Sequence, residues 1–412
     1  MNVALDDERF RQRFEALNEI GATERGGVNR PSLSAANKEA RDKLVTWFAD
    51  AGLDVVVDEM GNIFGRRDGT DDSLAPVMVG SHVDSQYNGG RFDGVIGVLA
   101  GLELIETLND RDVRTERPIE VVSWSNEEGV RFQPDMLGSG VFAGRFDTEY
   151  AHSLEDKEGE TFGEELRRIG YEGETPCEPR SLHCYFELHV EQGPYLDEAD
   201  LSVGVVEGVY GFSWLNAAFE GSADHAGPTP MHLRYDALVA TSDVVQAVRR
   251  IAGTGSEDLV GTVGSLDVRP NSINVIPERV EFTVDFRSYD NAVVEAAVER
   301  VGREIEWAAE REGVEWECEE IMRLDADPFA DECIETVERA AERVVGEDGY
   351  ARLVSGAGHD ANYLNKICPT GMVFVPSVDG ISHVEEEYTE WDDVVAGANV
   401  LAHAVVEKAG GK

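Results

Sequence analysis

Gly80-Ser81-His82-Val83-Asp84-Ser85 and, after three intervening residues, Gly89-Gly90-Arg91-Phe92-Asp93-Gly94 form the stretch on which the fold turns. A short apolar run from Val77 precedes it, and Val95 to Leu108 follows with the apolar spacing of a helix. A buried strand, a glycine-rich turn and a helix in succession are the unit of α/β sheets, which place ligand sites beyond the carboxyl ends of their strands. His82 directly follows the apolar run, and Asp93 sits among glycines that let the backbone turn sharply and approach closely. Asp84 faces the same side as His82 if the strand continues, and its carboxylate could then accept the second ring N–H of His82. Taken alone, His82 reads as an ordinary polar residue at a strand end; the set together does not.

Working outward, further apolar runs cover Ile119 to Ser125, Tyr185 to Val190 and Met372 to Val375. Phe10, Phe14, Leu17 and Ile20 recur at helical spacing behind Asp6 as an N-cap, and helices are expected over Lys38 to Asp50, Asp331 to Val345 and Asp392 to Lys408. This alternation predicts a catalytic α/β domain with a mixed sheet and flanking helices. The middle of the chain changes rhythm. Strands are expected over Trp214 to Glu220, Leu259 to Val268, Arg279 to Arg287 and Val314 to Leu324, with helices over Tyr235 to Ile251 and Asn291 to Glu312. That order, βαββαβ, is the ferredoxin-like α+β pattern. It places an inserted domain at 211–323 between catalytic segments 1–210 and 324–412.

Composition restricts the partners. The 412 residues include 82 acidic and 36 basic ones, a formal net charge of −46. Such a chain repels nucleic acid and anionic lipid at long range. The acids are spread along the whole length instead of forming a tail, which points to adaptation to a salt-rich cytosol. No run of eighteen apolar residues occurs, and the start, MNVALDDERF, lacks the pattern of a secretory signal, so a cytoplasmic protein without membrane segments is expected. The five cysteines are odd in number and form no CxxC pair, which argues against a disulfide framework or a cysteine-rich zinc site. No phosphate-binding glycine motif is present.

Polar residues gather at the ends of other apolar runs. Ser123-Trp124-Ser125-Asn126-Glu127-Glu128-Gly129 ends in adjacent carboxylates, which repel unless a cation or a shared proton compensates. In so acidic a chain that pair alone is a solvated turn. Glu187-Leu188-His189-Val190-Glu191-Gln192-Gly193 and Gly380-Ile381-Ser382-His383 each bring a histidine to a strand end. Three histidines with several carboxylates at strand ends are the donor set of a hard-to-borderline metal pair.

These motifs, in this order and over nearly the whole chain, resemble the hydantoinase/carbamoylase branch of the M20 metallopeptidase-like amidohydrolases. That branch comprises N-carbamoyl-L-amino-acid hydrolases, allantoate amidohydrolases and β-ureidopropionases. The resemblance implies two divalent ions per subunit, zinc before manganese, cobalt or nickel. His82 and His189 would hold one ion, Glu128 and His383 the other, with Asp93 bridging, Asp84 assisting and Glu127 as general base. A histidine at 189, where peptidase relatives carry a carboxylate, favours the carbamoylase branch over a dipeptidase. The resemblance also makes the inserted domain a lid and a homodimer contact. Its segment Ser222 to Met231 would supply His225 for the oxyanion, acting across that contact; Pro270 to Pro277 would supply Asn274, and Asp285-Phe286-Arg287 would supply Arg287 for a substrate carboxylate. Gln192 would face the carbamoyl end, and Gly358, within Ser355 to Ala361, would offer its backbone to substrate. Without the resemblance, Arg287 reads as a surface ion pair, and His359 stays open between a structural or supporting histidine and a functional one. The expected substrate is an N-carbamoyl-L-amino acid, with allantoate as the alternative. A metal-free binding protein on the same scaffold is disfavoured, since all five ligand positions and the base are present.

Overall fold

The structure is a computed structural model that describes residues 3–256 and 258–411. The chain divides into two compact units, Met1–Glu207 with Phe329–Lys412, and Gly208–Pro328.

Fourteen strands are named in chain order. They are β1 (Asp54–Val57), β2 (Ile63–Arg67), β3 (Val77–His82), β4 (Ile119–Trp124), β5 (Cys184–Val190), β6 (Val203–Val209), β7 (Gly211–Glu220), β8 (Val260–Thr262), β9 (Leu266–Arg269), β10 (Arg279–Ser288), β11 (Glu315–Leu324), β12 (Asp327–Pro328), β13 (Tyr350–Ser355) and β14 (Thr370–Val375). In the first unit the sheet order is β1-β2-β4-β3-β5-β14-β6, with β13 also on β6. The central four strands, β4-β3-β5-β14, are mutually parallel, and antiparallel pairs flank them. Every residue of these four is buried, as their unbroken apolar runs require of parallel strands covered on both faces. Helices Val95–Asp110 and Trp391–Lys408 pack on this sheet, and Asp331–Val345 packs on β14. The first helix runs Asp7–Asn18, with the Asp6 side chain accepting from the Arg9 backbone N–H.

Parallel pairing aligns the carboxyl ends of the four strands. His82 is the last residue of β3 and lies opposite Trp124 at the end of β4, while His189 on β5 lies opposite Phe374 on β14. The glycine turn after β3 is dictated locally. Gly94 has φ +67°, and a Cβ there would lie 2.5 Å from Cδ2 of His82, with Cε1 and Nε2 as close. Only glycine lets the helix start against that imidazole.

The second unit holds an antiparallel sheet, β11-β7-β10-β8, with β9 also on β10. Helices Ala237–Thr254 and Asn291–Glu312 pack together and against it, burying Phe219, Phe282, Val284 and Phe286. The single strand expected over Leu259 to Val268 is two. Thr262 faces Asp285 and Leu266 faces Phe282, so three residues oppose two and one is bulged out. Among the described residues no helix is long and apolar enough to cross a membrane. All five cysteines are free thiols.

Candidate metal centre

Four strand ends converge on Asp93. Its Oδ1 lies 3.2 Å from His82 Nε2 and 3.3 Å from His189 Nε2. Its Oδ2 lies 3.6 Å from His383 Nε2, which in turn is 3.7 Å from Glu128 Oε2. The donors therefore fall into two groups that share one carboxylate: His82, Asp93 and His189, and Asp93, Glu128 and His383. Tetrahedral ligands at about 2.0–2.1 Å from an ion stand about 3.4 Å from one another, close to these separations. Glu127 Oε2 is 3.2 Å from His82 Nε2, on the same side.

The ring tautomers are set by the backbone. His82 Nδ1 is 3.0 Å from the carbonyl oxygen of Asp84, and His189 Nδ1 is 3.0 Å from that of Val190. Each Nδ1–H donates to a carbonyl and leaves a bare Nε2 aimed at Asp93. This corrects the role expected of Asp84. Its carbonyl, not its carboxylate, takes the ring N–H, because β3 ends at His82 and the chain turns; the carboxylate oxygen is 3.9 Å from Nδ1. The carboxylate instead accepts the backbone N–H groups of Glu127 (3.4 Å) and Glu128 (3.3 Å), holding the acidic turn beyond β4.

Electrostatics show what the cluster can accommodate. Burial pushes the Glu127 carboxyl well above its ordinary range, and Asp360, Glu128 and Asp93 push the same way. Burial and Asp93 do the same to Glu128. Burial also pushes Asp93 up, but the His189 and His82 imidazoles outweigh it and hold that carboxyl well below the usual range. His82 Nε2 is buried without a hydrogen-bond partner. Crowded, desolvated carboxylates beside an unpartnered imidazole nitrogen suit a divalent cation, which relieves both. The Gln192 amide nitrogen lies 2.8 Å from Asp93 Oδ2 and 2.9 Å from His383 Nε2, between the two as a positive group would. The donors thus fit a metal pair.

Two arginines with almost no exposed surface underlie these turns. Arg30 Nε donates to the Val83 carbonyl (2.7 Å), and Arg41 donates to Gly61 O (2.6 Å) and Ser125 Oγ (2.9 Å). Burial lowers the Arg30 guanidinium to about 10, and the Asp84 charge opposes that fall. Neither arginine carries a sequence signal, since both lie far along the chain from the turns they hold.

Behind His189 a third group gathers Glu187, His189 and His359. The His359 ring meets His189 edge-on at 4.5 Å between centroids. Ser355 Oγ donates to Ala357 O and lies 2.9 Å from His359 Nε2, so the imidazole donates there and Nδ1 is left as an unpartnered acceptor. Glu187 accepts from Ser81 Oγ, Tyr185 Oη and the Ala361 N–H. Gly358 packs with its open side towards Met136.

His225, Asn274 and Arg287 belong to the second unit. His225 and Val275 form a β-bridge, and Ala226 N–H donates to Asn274 O, so the His225 and Asn274 loops are neighbours. His225 Nδ1 accepts the Gly227 N–H at 3.0 Å. Arg287 lies over the Phe212 ring and pairs with Asp285 at 3.0 Å.

Residues 78–407 match the Peptidase family M20/M25/M40 model. The N-carbamoyl-L-amino-acid amidohydrolase of Rhizobium meliloti is 43% identical, over 99% of this chain and 98% of that protein. The probable allantoate deiminase of Oryza sativa subsp. japonica is 34% identical, over 96% of this chain and 87% of that one. The crystal structure of an amidase of the hydantoinase/carbamoylase family from Burkholderia multivorans is 48% identical, covers 99% of both chains and superposes with a TM-score of 0.95.

Proposed function

Because the chain belongs to the M20/M25/M40 peptidase family, in its hydantoinase/carbamoylase branch, we propose that it hydrolyses an N-carbamoyl-L-amino acid to the L-amino acid, carbon dioxide and ammonia. The reaction consumes one water and breaks C–N bonds other than peptide bonds. The observation that carries this reading is the Asp93 carboxylate, with one oxygen facing His82 and His189 and the other facing His383 and Glu128.

In this reading His82, His189 and Asp93 hold one divalent ion, and Asp93, Glu128 and His383 the second, zinc being preferred for mixed nitrogen and oxygen donors. Such a pair supplies Lewis acidity and makes water acidic enough to act as a nucleophile near neutral pH. Glu127 takes the proton of the attacking water and returns it to the leaving nitrogen, and its burial and anionic neighbours raise its basicity. Asp84 keeps Glu127 in place through its backbone N–H. Arg287 receives the substrate carboxylate, Asn274 and Gly358 its polar backbone, Gln192 its carbamoyl end, and His225 the oxyanion. The Gly208–Pro328 unit acts as a ferredoxin-like lid and as the contact of a homodimer. The net charge of −46 fits a salt-rich cytosol.

The test is ammonia release from N-carbamoyl-L-amino acids, N-carbamoyl-β-alanine and allantoate, with metal content measured on the same preparation. Turnover confined to the first group supports the proposal. Exclusive turnover of allantoate favours the second reading, for which the likeness to the rice allantoate deiminase speaks. Protein without bound metal and without turnover would mean a binding protein on this scaffold.

A further inference from the structure

Glu387 is 3% exposed and lies outside the donor groups around Asp93. Its carboxylate joins two segments that are nearly three hundred residues apart. Oε1 accepts the backbone N–H groups of Phe92 and Asp93, both at 3.1 Å. Oε2 accepts the hydroxyl of Ser382 at 2.7 Å. One segment carries Asp93 and the other carries His383, so a single side chain ties the shared carboxylate to the imidazole opposite it. The chain makes room for this tie at Gly90, where a Cβ would fall on the Glu387 carboxylate itself.

The two segments are stacked from outside as well. Val28 pairs with Gly89, and Arg25 forms ion pairs with Glu386 and, at 3.4 Å, with Glu385. His383 itself sits at φ +61°, a left-handed conformation that a non-glycine residue holds only where its surroundings over-determine it. Its neighbours Ser382 and Glu387 supply that constraint from either side. By contrast, His82 and His189 each have a backbone carbonyl of their own to fix the ring. The two donor groups are therefore held by different means.

We propose that Glu387 is a positioning residue that sets Asp93 and His383 in one frame, so that the cation site of Asp93, Glu128 and His383 depends on it far more than the site of His82 and His189 does. This rests on the two-cation reading above. A buried carboxylate with a merely structural role would lower stability without separating the two sites.

The experiment is a cobalt(II) titration of full-length protein freed of metal by chelation. Affinity is read by competition with a chelating dye and coordination by visible absorption, with thermal melting of the metal-free protein alongside. Glu387→Ala should bind its first cobalt nearly as wild type does and its second on the order of 10- to 100-fold more weakly, the usual effect of losing a residue that orients a ligand. Glu387→Gln should recover most of that loss, because the amide oxygen still accepts both N–H groups and its NH2 can donate to Ser382 Oγ. Ser382→Ala, which removes the His383 side of the tie alone, should weaken the second cobalt by a smaller factor and serves if Glu387→Ala does not fold. Wild-type binding of both ions in Glu387→Ala or Ser382→Ala, or an equal loss of both, would overturn the assignment while leaving the two-cation reading intact. A wild-type protein that takes up no second cobalt would overturn both.

Discussion

Gly94→Ala tests the geometry of the centre without touching any donor. Two costs arise at once. The residue has φ +67°, which for alanine costs about 1–2 kcal/mol. The new methyl would also lie 2.5 Å from His82 Cδ2 and as near Cε1 and Nε2. Carbon atoms rest about 3.5–4.0 Å apart, so the imidazole must withdraw by about 1 Å or the helix Val95–Asp110 must lift. Overpacking of this kind adds about 1–3 kcal/mol, for a total of about 2–5 kcal/mol in the metal-free protein. A ring displaced by about 1 Å also leaves the narrow window of ligand distances, about ±0.2 Å, that a metal site tolerates. The first-bound ion should then lose more than the roughly 10- to 100-fold typical of an orienting residue. Gly52→Ala is the control: its φ is +78° with nothing within 4 Å of the added carbon, so it should cost about 1–2 kcal/mol and leave metal affinity unchanged. Denaturant unfolding of metal-free protein and a metal titration read the two effects separately. A Gly94→Ala protein that matches Gly52→Ala in both would refute the argument that His82 is seated by that glycine.

Other outcomes follow from the same geometry. Glu127→Gln should retain both ions and lose activity by a factor on the order of 10² to 10⁴, as measured by ammonia release; normal turnover would assign the proton to another group. His82→Ala or His383→Ala should strip metal and activity together, and full two-ion occupancy by elemental analysis in either would break the ligand set. Raising potassium chloride from low to molar concentration should raise the melting temperature, because screening weakens the mutual repulsion of the excess negative charge, −46 in all; a flat or falling curve would contradict this. Mixing Glu127→Gln with His225→Ala chains under verified subunit exchange should restore roughly a quarter of wild-type activity if His225 serves the partner's site, since about half the dimers are mixed and each has one intact site of two. Activity that stays at the level of the parents would mean that His225 acts within its own chain or not at all.

What the sequence disclosed follows the range of the forces involved. Helices Asn291–Glu312 and Asp331–Val345 end at the residues their caps and glycines suggest, because Asp290 caps the first and Gly313 closes it in a left-handed turn. His82, His189 and the Glu127–Glu128 pair stand at the ends of apolar runs, a local signal, and parallel pairing then brings them together. Strand β1, with its exposed and half-buried valines, and β6, interrupted by Gly204 and Gly208, gave no comparable pattern. Nor could the turn after His82 be foreseen, so the carbonyl of Asp84 stands where its carboxylate was expected. Glu387 lies four residues beyond His383 in an acidic run, where only the folded chain distinguishes a buried tie from solvated neighbours.

The placement of the donors along the chain has a consequence for synthesis. His82, Asp93 and His189 all precede the Gly208–Pro328 unit, whereas His383 follows it by more than fifty residues. Translation proceeds at about 5–20 residues per second, so roughly 10 to 40 s pass between the emergence of His189 and that of His383. Throughout that interval the nascent chain carries one complete donor trio and lacks the last member of the other. Strand β14, which lies between β5 and β6, is unmade for most of that interval. The donor set proposed for the first cation is thus complete in the nascent sequence before the last donor of the second has been made.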